Sequence, residues 1–238
     1  MKLSIVIPAF NEEAYIGKTL ESIFYRPPNN LLEVIVVNNA STDRTRCVAA
    51  SFLRVTVVDE PQKGLTKARQ AGLRAARGEI IAYLDADTLI DEQWFNIVNK
   101  QYAEDKNLVC LSGPYIYYDI PAWQKWCVKW LYWGILGRIT YFIVGYMALG
   151  GNFVAKKSAL LEIGGFDSSI KFYGEDTDIA RRLSTVGKVK FLQTFSVKTS
   201  GRRISKEGLL RTALRYMANY LSIVLTKKPV TKEYKDIR

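Results

Sequence analysis

Histidine is absent from this chain of 238 residues, and cysteine is rare. Without an imidazole there is no Ser-His-Asp or Cys-His catalytic site and no histidine-ligated zinc. The three cysteines, Cys47, Cys110 and Cys127, are far apart and form no CxxC pair, which argues against disulfides and a cysteine zinc site. The first apolar run is too short for a signal peptide. We therefore expect a protein of the reducing cytoplasm.

Acidic residues are scarce in two parts of the chain. There are 34 Lys and Arg against 23 Asp and Glu, a formal net charge of +11, and residues 120–161 hold no acidic residue. Residues 201–238 hold ten basic side chains against three acidic ones. A composition that is 48% hydrophobic and 24% charged still suits a globular chain with a substantial core, so general disorder is excluded.

Short β-branched runs alternate with longer amphipathic stretches between residues 3 and 111. This alternation is typical of successive βα units around a mostly parallel sheet, so we predict an α/β fold. The predicted strands are residues 3–7, 32–37, 55–58 and 80–84. Helices are predicted after a cap at Asn11, after caps at residues 41–43, and over about residues 65–76 and 91–102.

Aromatic side chains are concentrated in residues 122–149, here called the aromatic segment. Lys125, Lys129, Arg138 and several glycines interrupt it, so it lacks the roughly 20 apolar residues that a membrane-spanning helix needs. One interpretation is a helix in the membrane interface, with aromatic anchors and snorkelling cations. The other is an aromatic flap packed on the sheet. The aromatic residues are Trp123, Trp126, Trp130, Tyr132, Trp133, Tyr141, Phe142 and Tyr146.

The C-terminal part of the chain predicts a basic amphipathic helix over residues 207–225. Its apolar residues recur at helical spacing, and most of the net charge of the protein lies in the same region. Such a helix suits an anionic lipid surface, or it packs on its own domain and leaves a solvated basic face. The apolar positions are Leu209, Leu210, Ala213, Leu214, Met217, Leu221 and Val224.

Two carboxylates follow the predicted strand 80–84. Asp85 and Asp87 are two residues apart, so both can project to one side at the carboxyl end of a parallel strand, where open α/β sheets bind ligands. Two hard oxygen donors so placed suit Mg²⁺ or Mn²⁺, with a substrate diphosphate supplying further ligands. The alternative is a turn or helix cap, because Asp often ends a strand.

A second acidic cluster, Glu175, Asp176 and Asp178, precedes an apolar pattern typical of a helix. N-capping and the helix dipole would account for one or two of these acids. A carboxylate held near others also has a raised pKa and can act as a general base. In a chain without histidine, a carboxylate is the natural candidate for that role.

Several motifs together resemble family 2 glycosyltransferases of the GT-A fold. They are, in order, the runs at residues 4–12 (SIVIPAFNE), 36–43 (VVNNASTD), 78–87 (GEIIAYLDAD), 151–152 (GN), 164–167 (GGFD) and 175–178 (EDTD), with Gly64, Ala68 and Arg69 between the second and third. The resemblance covers roughly the first 190 residues and is more specific than any one motif. It implies a Rossmann-like, mostly parallel sheet flanked by helices, to which we add a C-terminal helical supplement facing the membrane.

The resemblance also implies which residues bind the donor. Pro8, Glu12 and Asn38 would lie around the nucleotide base and ribose, with Arg69 close to the base. Gly151 and Asn152 would contribute to substrate binding. The family moves a sugar from a nucleotide sugar to an acceptor with inversion at the anomeric carbon.

The catalytic roles are implied in the same way. Asp85 and Asp87 would form the metal and diphosphate motif, with Asp87 as the direct ligand of Mg²⁺ or Mn²⁺. Asp176 would be the catalytic base, and Glu175 would shape the acceptor pocket. The base would deprotonate an acceptor hydroxyl while the metal neutralises charge on the departing diphosphate.

Three departures from the family pattern qualify these expectations. Asn38 stands where many members have Asp, so uridine need not be the donor base. Many members carry a histidine downstream of the catalytic acid, whereas here Arg202 and Arg203 are hypothesised to contact the diphosphate in its place. No Gln-x-x-Arg-Trp motif follows Asp176, which argues against a processive polysaccharide synthase.

The sequence therefore favours a metal-dependent, inverting hexosyltransferase for cell-envelope polysaccharide or glycolipid synthesis. We expect a glycosyltransferase domain over residues 1–200, with a nucleotide-binding half (1–112) and an acceptor half (113–200), followed by a basic helix and tail (201–238). A lipid-linked or saccharide acceptor and peripheral contact with the inner face of the cell membrane are expected. Two alternatives stay open, a sugar-phosphate nucleotidyltransferase and a non-enzymatic basic module that binds membrane or nucleic acid; in the leading interpretation no nucleic acid is bound.

Overall fold

The computed structural model of the protein describes residues 1–170 and 172–231. Its core is a seven-stranded sheet in the order β3-β2-β1-β4-β7-β5-β8, and β6 and β9 form a separate parallel pair. All pairings in the large sheet are parallel except those of β7, which is antiparallel to both neighbours. The strands are β1 (Leu3–Ala9), β2 (Leu31–Asn38), β3 (Val55–Asp59), β4 (Ile80–Leu84), β5 (Leu108–Ser112), β6 (Tyr115–Tyr117), β7 (Asn152–Lys156), β8 (Lys188–Phe191) and β9 (Val197–Thr199).

The first four strands match the predicted ones to within two residues at each end. Every residue of β1 and β4 is buried, because helices cover both faces of the sheet. A strand buried on both faces is a continuous apolar run, and that pattern made these strands visible in the sequence. The predicted α/β fold with a mostly parallel sheet is confirmed.

Ten α-helices surround the sheet in the described residues. Asp91 caps α4 by accepting a hydrogen bond from the Trp94 backbone N–H at 3.0 Å, as its type predicts. Asn11 does not cap α1, which begins at Ile16; its Oδ1 instead accepts a hydrogen bond from the Thr42 backbone N–H at 2.8 Å. The helices are α1 (Ile16–Phe24), α2 (Thr45–Ala50), α3 (Leu65–Ala75), α4 (Glu92–Glu104), α5 (Ala122–Trp126), α6 (Arg138–Val144), α7 (Lys157–Glu162), α8 (Glu175–Leu183), α9 (Arg202–Glu207) and α10 (Leu209–Thr226).

The aromatic segment is not one regular helix. A π-helical stretch, Cys127–Gly137, connects α5 to α6, and Gly145 ends α6 in a left-handed conformation (φ 82°). Trp133 is buried in a small apolar cluster with Phe191, whereas Phe142 is 89% exposed. The interpretation as a packed flap therefore describes the face that carries Trp133, and contact of the exposed face with a membrane stays a prediction.

The C-terminal helix begins later than predicted. Gly208, with φ 86°, interrupts the helix between α9 and α10, so the predicted helix over 207–225 starts at Leu209. Ile223 of α10 is fully buried, and a Cβ atom on Gly174 would meet its Cγ1 atom at 2.7 Å. No helix in the described residues is long and apolar enough to cross a membrane. The last seven residues of the predicted tail lie outside the described residues.

Candidate active site

A cavity of about 770 Å³ opens at the carboxyl ends of β1 and β4. The chain runs from β1 outward through β2 and β3, then returns to place β4 on the other side of β1. Ligands of open α/β sheets bind at such a reversal of strand order. Acidic residues gather on one side of the cavity, here called the acidic floor: Glu12, Asp85, Asp87, Glu175 and Asp176.

Asp87 contacts two residues from the C-terminal half of the chain. Its Oδ1 accepts a hydrogen bond from the Thr199 hydroxyl at 3.1 Å, and its Oδ2 lies 3.2 Å from Arg202 Nη2. Burial raises the pKa of Asp87 to about 7; the nearby charge of Arg202 lowers the pKa, and Asp85 and Glu12 raise it. A carboxyl group in this setting is stabilised in its charged form by any additional cation.

Asp85 faces the open part of the cavity, with 39% of its side chain exposed. A Cβ atom on Gly151 would lie 2.2 Å from Asp85 Oδ2, so glycine is required for this close approach. The Gly151 N–H donates to the Tyr115 hydroxyl at 2.7 Å, which fixes the loop in place. The predicted involvement of Gly151 thus corresponds to a position on the wall of the cavity.

Arg69 is the buried counter-ion of the acidic floor. Only 1% of it is exposed, and its guanidinium contacts Glu175 Oε1 and lies 3.5 Å from Asp85 Oδ1. A Cβ atom on Gly150 would lie 2.4 Å from Arg69 Nη2, so the chain passes directly over the guanidinium. The predicted contact of Arg69 with the base stays a prediction; the structure places its charge among the carboxylates.

Asp176 projects from the first turn of α8 into the cavity. Its Oδ1 accepts a hydrogen bond from the Thr177 N–H at 2.7 Å, and its Oδ2 accepts one from the Gly150 N–H at 3.3 Å. Burial raises the pKa of Asp176 above its usual value, while the Arg69 charge opposes the shift. Burial and the Asp176 charge also raise the pKa of Glu175. A held, partly desolvated carboxylate of this kind can accept a proton.

Arg202 and Arg203 follow β9 and lie in different surroundings. Arg202 makes a bidentate pair with Glu12, in which Nη1 lies 2.8 Å from Oε2, and its guanidinium stacks over the Tyr15 ring. Arg203 contacts Glu207 at 3.4 Å and donates to the Tyr173 hydroxyl at 3.2 Å. Both arginines line the cavity, so both can reach an anionic group there.

The carboxyl end of β2 carries Asn38, whose predicted position near the nucleotide base stays a prediction. Asn38 Nδ2 donates to Asp59 Oδ1 at 2.9 Å, and Arg46 lies 3.1 Å from the other carboxylate oxygen of Asp59. Asn38 is 8% exposed, and its Oδ1 has no hydrogen-bond partner among residues 1–170 and 172–231. An acceptor held in this orientation is free to receive a hydrogen bond from a ligand. Pro8, on the adjacent strand, lines the cavity.

Comparison with known proteins identifies the family of this site. The model of Glycosyl transferase family 2 matches residues 4–164, about two thirds of the chain. The chain belongs to glycosyl transferase family 2. This membership agrees with the motifs that carried the resemblance, and it favours the glycosyltransferase interpretation over a nucleotidyltransferase or a binding module.

Relatives of this family member are longer than this chain, and two of the solved ones hold different nucleotide sugars. "Probable glycosyltransferase YdaM" of Bacillus subtilis is 27% identical over 205 residues, which cover 78% of this chain and 47% of YdaM. The mannosyltransferase PcManGT of Pyrobaculum calidifontis, solved with GDP-Man and Mn²⁺, superposes with a TM-score of 0.70 at 22% identity, over 95% of this chain and 63% of that one. Staphylococcus aureus TarS 1-349 with UDP-GlcNAc gives 0.65 at 18% identity, over 95% and 74%. These structures confirm the GT-A fold, and the chain spans about half the length of YdaM.

The residues of this family 2 site suit a divalent cation completed by substrate. No cluster of three or more His, Cys, Asp or Glu side chains in residues 1–170 and 172–231 could hold a metal by itself. Asp85 and Asp87 are two hard oxygen donors on one cavity, and Mg²⁺ or Mn²⁺ commonly takes its remaining ligands from phosphate and water. These carboxylate oxygens therefore suit a divalent cation. Asp85 is accessible, whereas Asp87 already contacts Thr199 and Arg202.

One predicted site residue of this family member, Asn152, has its side chain away from the cavity. Asn152 is fully buried, and its amide donates to the carbonyl oxygens of Gly113 and Phe195 and accepts from the Trp94 indole N–H. Both ends of the amide are thus paired inside the protein. The Asn152 side chain therefore lies in the core and is not among the described residues that line the cavity, and its contact with substrate stays a prediction.

Several residues of the site were not predicted. Thr199 reaches Asp87 from β9, Tyr115 holds the Gly151 loop from β6, and Asp59 orients Asn38 from β3. Asp59 directly follows the predicted strand 55–58, and Asn38 directly follows the predicted strand 32–37; their common place at the carboxyl ends of two strands could have indicated the pair. For Thr199 the contact joins residues 112 positions apart, and no local pattern announces such a pair.

Proposed function

We propose that the protein transfers a hexose from a nucleotide sugar to an acceptor with inversion, in the presence of Mg²⁺ or Mn²⁺. The observation that carries this proposal is the acidic floor at the reversal of strand order, where Asp85 and Asp87 share one cavity with Asp176. Family membership and the bound ligands named for PcManGT and TarS support a nucleotide-sugar donor.

Asp176 acts as the general base in this proposal. Two backbone N–H groups hold its oxygens, so the carboxylate is oriented toward an acceptor hydroxyl and takes its proton. The hydroxyl oxygen then bonds to the anomeric carbon as the bond to the diphosphate breaks, and one displacement inverts that centre. Arg202 and Arg203 provide positive charge for the leaving diphosphate. When bound, the divalent cation would be held by Asp87 and Asp85 and would neutralise the same charge.

The wall of the cavity opposite the acidic floor supports a lipid-linked acceptor. It is built from apolar and aromatic side chains of the aromatic segment and α10, which contact each other through the Tyr220 hydroxyl and the Tyr146 carbonyl at 3.0 Å. An apolar trough leading to a catalytic carboxylate suits a chain of hydrocarbon attached to the reacting sugar or phosphate. The lining includes Val128, Leu131, Leu136, Met147, Leu209, Ala213 and Met217.

The exposed face of the same two elements supports peripheral binding to the inner face of the cell membrane. Large apolar side chains are exposed there, beside Lys129, Arg138 and Arg211. Aromatic anchors with neighbouring cations are typical of proteins that lie in the interface of an anionic bilayer. We call these side chains the apolar-basic surface: Trp126, Trp130, Ile139, Phe142, Ile143, Leu210, Leu214 and Leu225 with the three cations.

A thermal-shift screen tests the enzyme class. UDP-, GDP- and dTDP-sugars are added with and without Mn²⁺ to the protein and to Asp87→Ala. We expect one donor to raise the melting temperature only with Mn²⁺, and the shift to disappear in Asp87→Ala, because ligand binding stabilises the folded state by mass action. No shift with any nucleotide sugar would contradict the proposal.

Sedimentation with lipid vesicles tests the membrane part separately. The protein is mixed with vesicles of phosphatidylglycerol and phosphatidylcholine, or of phosphatidylcholine alone, and compared with Phe142→Ser/Ile143→Ser. We expect binding to the anionic vesicles that the double variant loses. Leu53→Ser is the matched control, because Leu53 is fully exposed but lies outside the apolar-basic surface. Equal binding by all three proteins would contradict a docking role for this surface.

A further inference from the structure

The ion pair between Arg202 and the acidic floor joins two segments that are far apart in the sequence. Arg202 lies just after β9, and Glu12 precedes α1, yet the guanidinium binds both oxygens of Glu12 and also lies 3.2 Å from Asp87 Oδ2. All three groups are largely buried, with side-chain exposures of 19%, 2% and 10% in that order. One guanidinium is therefore paired with two buried carboxylates.

Each carboxylate oxygen of Asp87 already has one partner in this arrangement. Oδ1 accepts from the Thr199 hydroxyl, and Oδ2 lies against Arg202. A divalent cation bound to Asp87 Oδ2 would lie next to the Arg202 guanidinium. Two positive charges that contact the same oxygen atom repel each other strongly in a partly buried site. The guanidinium and the metal ion are thus alternatives for one oxygen.

The backbone of Arg202 is held firmly, so only its side chain can leave. Asp119 accepts hydrogen bonds from the Ser200 hydroxyl at 2.5 Å and from the Gly201 N–H, and the Ser200 hydroxyl accepts from the Arg202 N–H at 3.2 Å. A Cβ atom on Gly201 would lie 2.2 Å from Ile120. A long side chain on such an anchored turn can rotate from Asp87 toward a diphosphate in the same cavity.

We propose that Arg202 competes with the divalent cation for Asp87 and leaves this carboxylate when the donor diphosphate arrives. This inference rests on the proposed function and concerns its regulation. Before donor binding, Arg202 neutralises Glu12 and Asp87 together. When a nucleoside diphosphate enters with the cation, Arg202 moves to the phosphate oxygens, which prefer a guanidinium as a bidentate partner. The cation therefore binds weakly alone and tightly together with the nucleotide.

Direct titration of Mn²⁺ tests this coupling without any turnover. Free Mn²⁺ is followed by its electron paramagnetic resonance signal, in the absence of nucleotide and with UDP or GDP. We expect Arg202→Gln to bind Mn²⁺ at least about tenfold more tightly than the natural protein without nucleotide, which is about 1.4 kcal/mol. With the nucleotide present, the order should reverse, because the variant lacks the guanidinium that would hold the diphosphate.

Two further variants separate competition from general electrostatics and from misfolding. Arg203→Gln removes the same charge one residue later, where the guanidinium lies against Glu207 and Tyr173, and should change the Mn²⁺ affinity clearly less. Arg202→Lys keeps the charge and should give an intermediate affinity, which preserves the test if Arg202→Gln melts early. Equal effects of both Gln variants, or no tightening by Arg202→Gln, would overturn the inference.

The outcomes also distinguish this inference from the proposed function. If no protein binds Mn²⁺ under any condition, the competition and the metal dependence both fail. If Mn²⁺ binds but Arg202→Gln behaves as the natural protein, only the competition fails. If the expected pattern is found but no nucleotide sugar is consumed, the competition stands and the proposed transfer reaction fails.

Discussion

The acidic floor of the cavity and the apolar-basic surface differ in what they bury. On the acidic floor, charged groups such as Glu175 and Asp87 are more than nine-tenths buried, whereas on the apolar-basic surface Phe142 and Leu225 are 89% and 79% exposed. Both arrangements oppose stability, since buried charge and exposed apolar area are each unfavourable in water. A protein optimised only for folding would have the reverse, so the contrast marks the two surfaces that ligands are expected to meet.

Asp176→Asn should have the largest effect on activity. An amide cannot accept the acceptor proton, so turnover should fall about 10²–10⁴-fold, as measured by release of nucleoside diphosphate. The control is Asp178→Asn on the same helix, because Asp178 is paired with Arg181 and Arg182 and has no role in the proposed chemistry. Unchanged turnover in Asp176→Asn would indicate an acceptor that is already ionised, such as a phosphate.

Arg69→Met should give the largest loss of stability. It leaves Glu175 and Asp85 without their buried counter-ion, so the free energy of unfolding should fall by about 3–5 kcal/mol in urea titrations at neutral pH. Arg69→Met/Glu175→Gln should recover part of that loss, because the more buried of the two carboxylates paired with Arg69 is then neutral. No difference between the two variants would show that the floor carries no net electrostatic strain.

Gly151→Ala should have a smaller effect, confined to the site. The added Cβ atom would lie 2.2 Å from Asp85 Oδ2, and relief of the overlap should cost about 1–3 kcal/mol and weaken nucleotide binding. Gly17→Ala is the matched control, because its Cβ atom would meet only Val48 Cγ1 at 3.6 Å, an ordinary contact. Calorimetric affinities for the nucleotide that are equal in both variants would contradict this account.

The pH dependence of kcat/KM should report the raised pKa of the base. A general base must be ionised, and burial raises the pKa of Asp176 above its ordinary value of 3.8, so activity is lost as the pH falls through that raised pKa. The acidic limb should therefore lie at a higher pH than the ordinary pKa of aspartate, and below it the activity should fall tenfold for each pH unit. An acidic limb at the ordinary aspartate pKa of 3.8 would argue against Asp176, provided that circular dichroism shows the protein to be folded at that pH.

Trp130→Ser should have the smallest effect on folding. The side chain is 54% exposed, so its replacement should change the free energy of unfolding by no more than about 0.5 kcal/mol, while vesicle binding weakens. Trp133→Ser is the contrasting control, because Trp133 is buried against Phe191 and should destabilise the protein. A large loss of stability in Trp130→Ser would mean that the exposed face of the aromatic segment belongs to the fold.

Local patterns in the sequence predicted those strands and helix caps that depend only on residues close together in the chain. The four parallel strands are continuous apolar runs, and the cap at Asp91 acts on its own helix. The antiparallel β7 was not predicted, because a strand inserted between β4 and β5 shows no periodicity of its own that tells its direction. The burial of the Asn152 side chain was not predicted either, since Asn152 is the first residue of β7.

By itself, the sequence determined the α/β architecture, the acid pair at the end of β4 and the acidic turn of α8. These depend on burial patterns and residue types within short stretches. Only the tertiary structure decided that Arg69 neutralises the floor, that Gly208 divides the C-terminal helices, and that Arg202 meets Glu12 across 190 positions of chain. Charge pairs of this kind are set by how the sheet and helices pack, because Coulomb attraction depends on distance in space and carries no signature along the chain.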